Sequence, residues 1–79
     1  MARRKRVRFT RHAFDERMLE RKITLSDVLR VLAGPDYEFP GNTPGTLESY
    51  GTTADGRRFY VVTAERRTLV ITVVEVKEP

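Results

Sequence analysis

Cysteine is absent from the 79 residues, which excludes disulfides and thiolate metal ligands. Histidine occurs once, at His12, too few for a dedicated zinc or iron site, so neither a metal nor any other cofactor is expected. No apolar run approaches the roughly 20 residues that span a bilayer, so the expected partners do not include a membrane. The N-terminal stretch MARRKRVRF is basic but lacks the apolar segment of a signal peptide, and a cytoplasmic location is the default expectation. Repeats, low-complexity segments and internal linkers are also missing.

What remains is a chain for one domain with a thin core. Hydrophobic residues at 39% and charged residues at 33% suit a folded globular protein. The net charge of +4 is unevenly placed. Arg3, Arg4, Lys5, Arg6, Arg8 and Arg11 are six of the 15 basic residues, and all 11 acidic residues lie beyond them. Residues 1–6 therefore form a basic arm, and residues 7–79 a single domain that is close to neutral. Such an arm suits contact with phosphates or with an acidic partner, or serves only as a solubilising tail.

The hydrophobic pattern predicts a short strand at Val7–Phe9, with Thr10 as N-cap of a helix from Arg11 to about Lys22. A second helix is better marked. Thr24 and Asp27 have capping-box spacing, and Ile23 and Val28 that of a hydrophobic staple. Leu25, Val28, Leu29 and Leu32 form one expected buried stripe, and Gly34-Pro35 ends the helix. Asp36–Phe39 reads as a short strand, followed by the loop PGNTPG and three strands, Thr46–Thr52, Arg57–Ala64 and Thr68–Val76. The order is β-α-α-β-β-β-β, an α+β domain with two N-terminal helices packed on an antiparallel sheet.

Turn chemistry sets the faces. A three-residue loop with Gly56 at its left-handed position puts Tyr50 opposite Tyr60. A two-residue Asp55-Gly56 loop would slip the register by one and turn Tyr50 over. A similar loop at Glu65-Arg66-Arg67 pairs Ala64 with Thr68 and Tyr60 with Thr72. Leu47, Phe59, Val61, Leu69, Ile71 and Val73 then face the helices. Glu48, Tyr50, Arg58, Tyr60 and Thr72 lie on the opposite face, either as an open site or as ordinary cross-strand neighbours.

The stretch FTRHAFDERMLERKITLSDVLRVLAGP resembles the N-terminal half of the small bacterial domains grouped as domain-of-unknown-function 4258. Thr10, His12, Ala13, Arg17, Met18, Arg21, Ile23, Val28, Leu32 and Pro35 carry the likeness. Gly56-Arg57, Val61-Val62 and the VITVV of Val70–Val74 extend it through the second half. That group is similar in turn to RelE/ParE-like toxins and related small ribonucleases. The resemblance implies a RelE-like fold, metal-independent endoribonuclease activity in a toxin–antitoxin setting, RNA, ribosome-associated or free, as substrate, and an antitoxin protein as partner.

Such cleavage uses the 2′-hydroxyl as nucleophile, with a base, an acid and cations for the phosphorane. The resemblance makes His12 the candidate proton-transfer group, Arg17 and Arg58 the cations, and Tyr60 and Thr72 the remaining catalytic candidates. Tyr50, with Arg3, Arg4, Lys5, Arg6, Arg8 and Arg11, would bind RNA. Each has a structural counterpart: His12 bonded to Glu16 one turn on, Arg17 laid along apolar surface. Two other functions use the same residues. One is a non-catalytic RNA- or ribosome-binding module, the other a protein-interaction domain that takes a partner strand at a sheet edge.

Overall fold

The computed structural model describes residues 7–13 and 18–77. Seven elements follow in order: β1 (Arg8–Phe9), α1 (Leu19–Arg21), α2 (Leu25–Ala33), β2 (Tyr37–Pro40), β3 (Leu47–Thr52), β4 (Arg58–Ala64) and β5 (Leu69–Glu75). The domain is α+β, with two helices and a five-stranded sheet ordered β1-β5-β4-β3-β2, α2 packing on β3 and β4. The sheet is mixed, which corrects the antiparallel expectation. Strands β2 to β5 are antiparallel neighbours, but β1 runs parallel to β5, pairing Arg8 with Leu69 and Phe9 with Val70. Hairpin turns dictate direction only between consecutive strands. β1 meets its partner across most of the chain, so its direction follows from the path of the helices.

Thr10 marks the departure from β1. Its hydroxyl donates to the Ile71 carbonyl at 2.8 Å and accepts from the Ala13 N–H at 3.1 Å, so it caps the helical turn as its position predicts. The turns at His12, Ala13 and Met18 are wide and π-like, and residues 14–17 of this segment lie outside the described residues. α1 ends where Lys22 takes a left-handed conformation, φ 55°.

At α2 the capping box forms, with the Thr24 hydroxyl accepting from the Asp27 N–H at 3.1 Å and the Asp27 carboxylate from the Thr24 N–H at 3.2 Å. Ile23 and Val28 are both buried, as a staple requires. The expected stripe is rotated, however. Val28 and Val31 are buried and Leu32 partly so, whereas Leu25 and Leu29 are exposed. Two contacts explain the rotation. Val31 sits on Gly51 of β3, where a Cβ would come within 2.5 Å of a Val31 methyl group. Asp27 is drawn inward, where it accepts from the Ala54 N–H at 3.0 Å and from Arg30 at 3.1 Å.

The β3–β4 hairpin has the predicted three-residue geometry. The Thr53 N–H donates to the Arg57 carbonyl at 2.8 Å, Gly56 has φ 88°, and Tyr50 faces Tyr60. The β4–β5 hairpin differs. Ala64 pairs with Leu69, leaving a four-residue loop in which Glu65, Arg66 and Arg67 have φ of 52°, 58° and 70°. A bulge beside Val62/Thr63 then leaves Ile71 as the extra residue. Tyr60 therefore faces Val74, and Thr72 faces Val62. The longer loop and the bulge each shift the register by one residue in the same direction, so beyond Ile71 the total is two and Thr72 keeps its predicted face. Between the loop and the bulge the register is off by one and the faces are inverted: Leu69 and Ile71 lie away from the helices, and Val70 takes the inner position. Phe59, Val61, Val70 and Val73 are fully buried against Ala13, Met18, Ile23, Val28 and Val31.

Arginines from the loops bind carbonyls that the helix ends leave without partners. Arg57 donates to the Arg21 and Lys22 carbonyls at 2.6 and 2.8 Å, and also contacts Asp55 and Glu75. Arg67 donates to the Leu32 carbonyl and pairs with Glu38 at 3.3 Å. Arg30 reaches the Thr52 carbonyl at 2.6 Å.

Two stability predictions follow from buried polar groups. The Thr63 hydroxyl is fully buried with no hydrogen-bond partner among the described residues. Thr63→Val removes that group at nearly constant volume, and should raise stability in urea unfolding by about 1 kcal/mol. Burial pushes the Asp27 carboxyl up, but donors from Thr24, Ala54 and Arg30 outweigh it and hold the pKa below its ordinary value of 3.8. The stabilisation is therefore complete above the unfolded pKa and lost as pH falls through the lower folded value. Asp27→Asn should cost about 1–3 kcal/mol at pH 7, and the gap to wild type should shrink in melts taken below about pH 4.

Candidate nucleic-acid interface

The period of two along each strand sends alternate side chains to the face without helices. On β3 and β4 this places Glu48, Tyr50, Arg58 and Tyr60 together, and the pairing of Tyr50 with Tyr60 brings their ring centres to 4.8 Å. β2 adds two more rings. Tyr37 pairs with Tyr50 and Phe39 with Glu48, so both point the same way. Phe39 meets Tyr50 edge-on at 5.8 Å, and Tyr37 and Phe39 lie 6.4 Å apart with planes 20° from parallel. A chain of four rings thus crosses from the edge strand to the middle of the sheet. Tyr37 and Phe39 are 55% and 52% exposed, so together they form an exposed aromatic patch.

Two open grooves flank these rings. One, of about 360 Å³, is lined by Asp36, Tyr37, Phe39, Tyr50 and Arg58. The other, of about 250 Å³, is lined by Glu48, Tyr60, Ile71 and Thr72 among others. The Tyr50 hydroxyl donates to the Glu48 carboxylate at 3.0 Å. Burial first, and then the Glu48 carboxylate, push the Tyr50 phenol above its ordinary value of 10.0. Both effects favour the phenol that donates to Glu48 over its phenolate.

Of the residues singled out from the sequence, Tyr50, Arg58, Tyr60 and Thr72 share this face. His12 does not line either groove. It is exposed on the helical segment whose next residue, Ala13, is buried in the core on the other side of the sheet. Arg11 is exposed beside it, and Arg8 on β1 is paired with Glu65. Arg17 and the arm residues Arg3, Arg4, Lys5 and Arg6 lie outside the described residues. Among the described residues no group of three or more His, Cys, Asp or Glu side chains converges as a metal site would require, and no helix is long and apolar enough to cross a membrane.

Asp36, Tyr37 and Phe39 were not among the site residues expected from sequence. The usable signal was Tyr-Glu-Phe, aromatic at i and i+2 between Pro35 and Pro40, which puts two rings on one face of a short strand. On the helix side, Met18, Leu19, Ile23 and Leu25 line a separate apolar groove of about 400 Å³.

A family model described as "Domain of unknown function (DUF4258)" matches residues 9–76. No curated protein and no solved structure matches the chain.

Proposed function

The chain belongs to the DUF4258 family, and we propose that it is an RNA-acting domain that binds single-stranded RNA across the aromatic face of its sheet. The observation that carries this is the contact chain Tyr37–Phe39–Tyr50–Tyr60, with Arg58 in the same groove. Unpaired bases stack on aromatic side chains regardless of sequence, and a nearby guanidinium neutralises phosphate. The resemblance to RelE/ParE-like toxins supports RNA as the ligand. It also suggests ribosome-associated RNA and an antitoxin as the partners to look for. The arm residues Arg3, Arg4, Lys5 and Arg6 would add non-specific, salt-sensitive attraction.

Metal-independent endoribonuclease activity is the second reading. It is favoured by the presence of Arg58, Tyr60 and Thr72 on the same face as the rings. On that face the Glu48 carboxylate is a second candidate, beside His12, to take a proton from a 2′-hydroxyl, with Arg58 as a candidate cation for the phosphorane charge.

Binding of a fluorescent single-stranded RNA, followed by anisotropy from 50 to 300 mM salt, tests the first reading. Affinity should fall steeply with salt. Removing one exposed ring, as in Tyr37→Ala or Phe39→Ala, should weaken binding by about 1–3 kcal/mol with little change in melting temperature. Incubation of total RNA with wild type, Glu48→Gln and His12→Ala separates the readings. Cleavage lost in Glu48→Gln but kept in His12→Ala supports a nuclease site on the sheet face. Cleavage lost only in His12→Ala contradicts it, and no cleavage with intact binding leaves the binding module.

A further inference from the structure

We infer that the groove beside β2 is a base-reading subsite that prefers guanine, with Asp36 as the residue that discriminates; the inference rests on the RNA-binding reading above. Asp36 precedes β2, and its backbone N–H is fixed to the Tyr50 carbonyl at 2.8 Å. Asp36 is exposed and is one of the residues lining the groove formed with Tyr37, Phe39, Tyr50 and Arg58. At about 360 Å³ the groove lies within the roughly 300–1,000 Å³ typical of small-ligand sites.

A carboxylate on a surface that binds a polyanion costs affinity unless it meets hydrogen-bond donors. A base stacked on Tyr37 or Phe39 would present its edge toward such a group. Guanine offers two adjacent donors on its Watson–Crick edge, N1–H and the N2 amino group, which match the two oxygens of a carboxylate. Adenine and cytosine each offer one amino group beside a ring nitrogen that accepts. Uracil offers a single N–H between two carbonyls. The three other bases therefore place an acceptor against the carboxylate, and guanine alone does not. Arg58, on the same groove, offsets the negative charge of Asp36 toward the neighbouring phosphate.

The test uses the full chain and four labelled hexanucleotides: oligouridine, and the same strand with one central guanine, adenine or cytosine. Anisotropy should show the guanine strand binding about tenfold more tightly than oligouridine. In Asp36→Asn, whose amide puts a donor against a donor, the preference should collapse to within about twofold, with oligouridine affinity unchanged or improved. A thermal melt checks that the variant is folded, and the wild-type ranking of the four strands is informative without it. If the four strands bind wild type equally, or Asp36→Asn keeps the preference, the guanine subsite is refuted while RNA binding stands. If none of the strands binds, the RNA-binding reading itself is overturned.

Discussion

The buried carboxylate of Asp27 holds the two layers in register. It closes the capping box at the start of α2, accepts from the Ala54 N–H in the β3–β4 turn, and pairs with Arg30, which also binds the Thr52 carbonyl. One group thus fixes the helix terminus, the hairpin and their relative rotation. With α2 held in that orientation, Val31 drops onto Gly51, and the helices cover a single face of the sheet. The opposite face is left to Tyr50, Tyr60 and the rings of β2. The solvent-facing aromatic surface is thus the face opposite the one on which Asp27 anchors the helix.

Three arginines of the folded body also tie its elements together. Arg57 and Arg67 bind the carbonyl ends of the two helices, and Arg30 ties α2 to β3. These contacts also explain how a loop without glycine or asparagine tolerates three consecutive left-handed residues. Such conformations cost energy in non-glycine residues. They persist where tertiary contacts over-determine them, and Arg67 is held by both Leu32 and Glu38. The sheet face is consequently aromatic more than basic, and Arg58 is the arginine that its grooves contain.

Local chemistry was legible in the sequence, and long-range geometry was not. The Thr24/Asp27 box, the Thr10 cap and the Gly56 turn each depend on a few adjacent residues, and all three form as the spacing predicts. Tyr50, Arg58, Tyr60 and Thr72 share one face for the same reason, although Thr72 reaches it through two one-residue shifts that add to a whole pleat period. The parallel pairing of β1 with β5 leaves no local signal. The rotation of α2 depends on a glycine in a distant strand and on a carboxylate turned inward, where hydrophobic periodicity favours the leucines. The β4–β5 loop lacked the residues that normally advertise left-handed turns. The rings of Tyr37 and Phe39 were visible in a strand too short for its pattern to stand out.

On the proposed reading, ligand recognition lies on the sheet face and the helix layer is structural. This placement is tested most directly by titrating isotope-labelled protein with a short uridine-rich RNA carrying one guanine, and mapping the shifted aromatic and amide resonances. The account predicts the largest changes at Tyr37, Phe39, Tyr50, Arg58 and Tyr60, with α2 unmoved. Changes centred on His12, or on the apolar groove at Leu19 and Leu25, would contradict it.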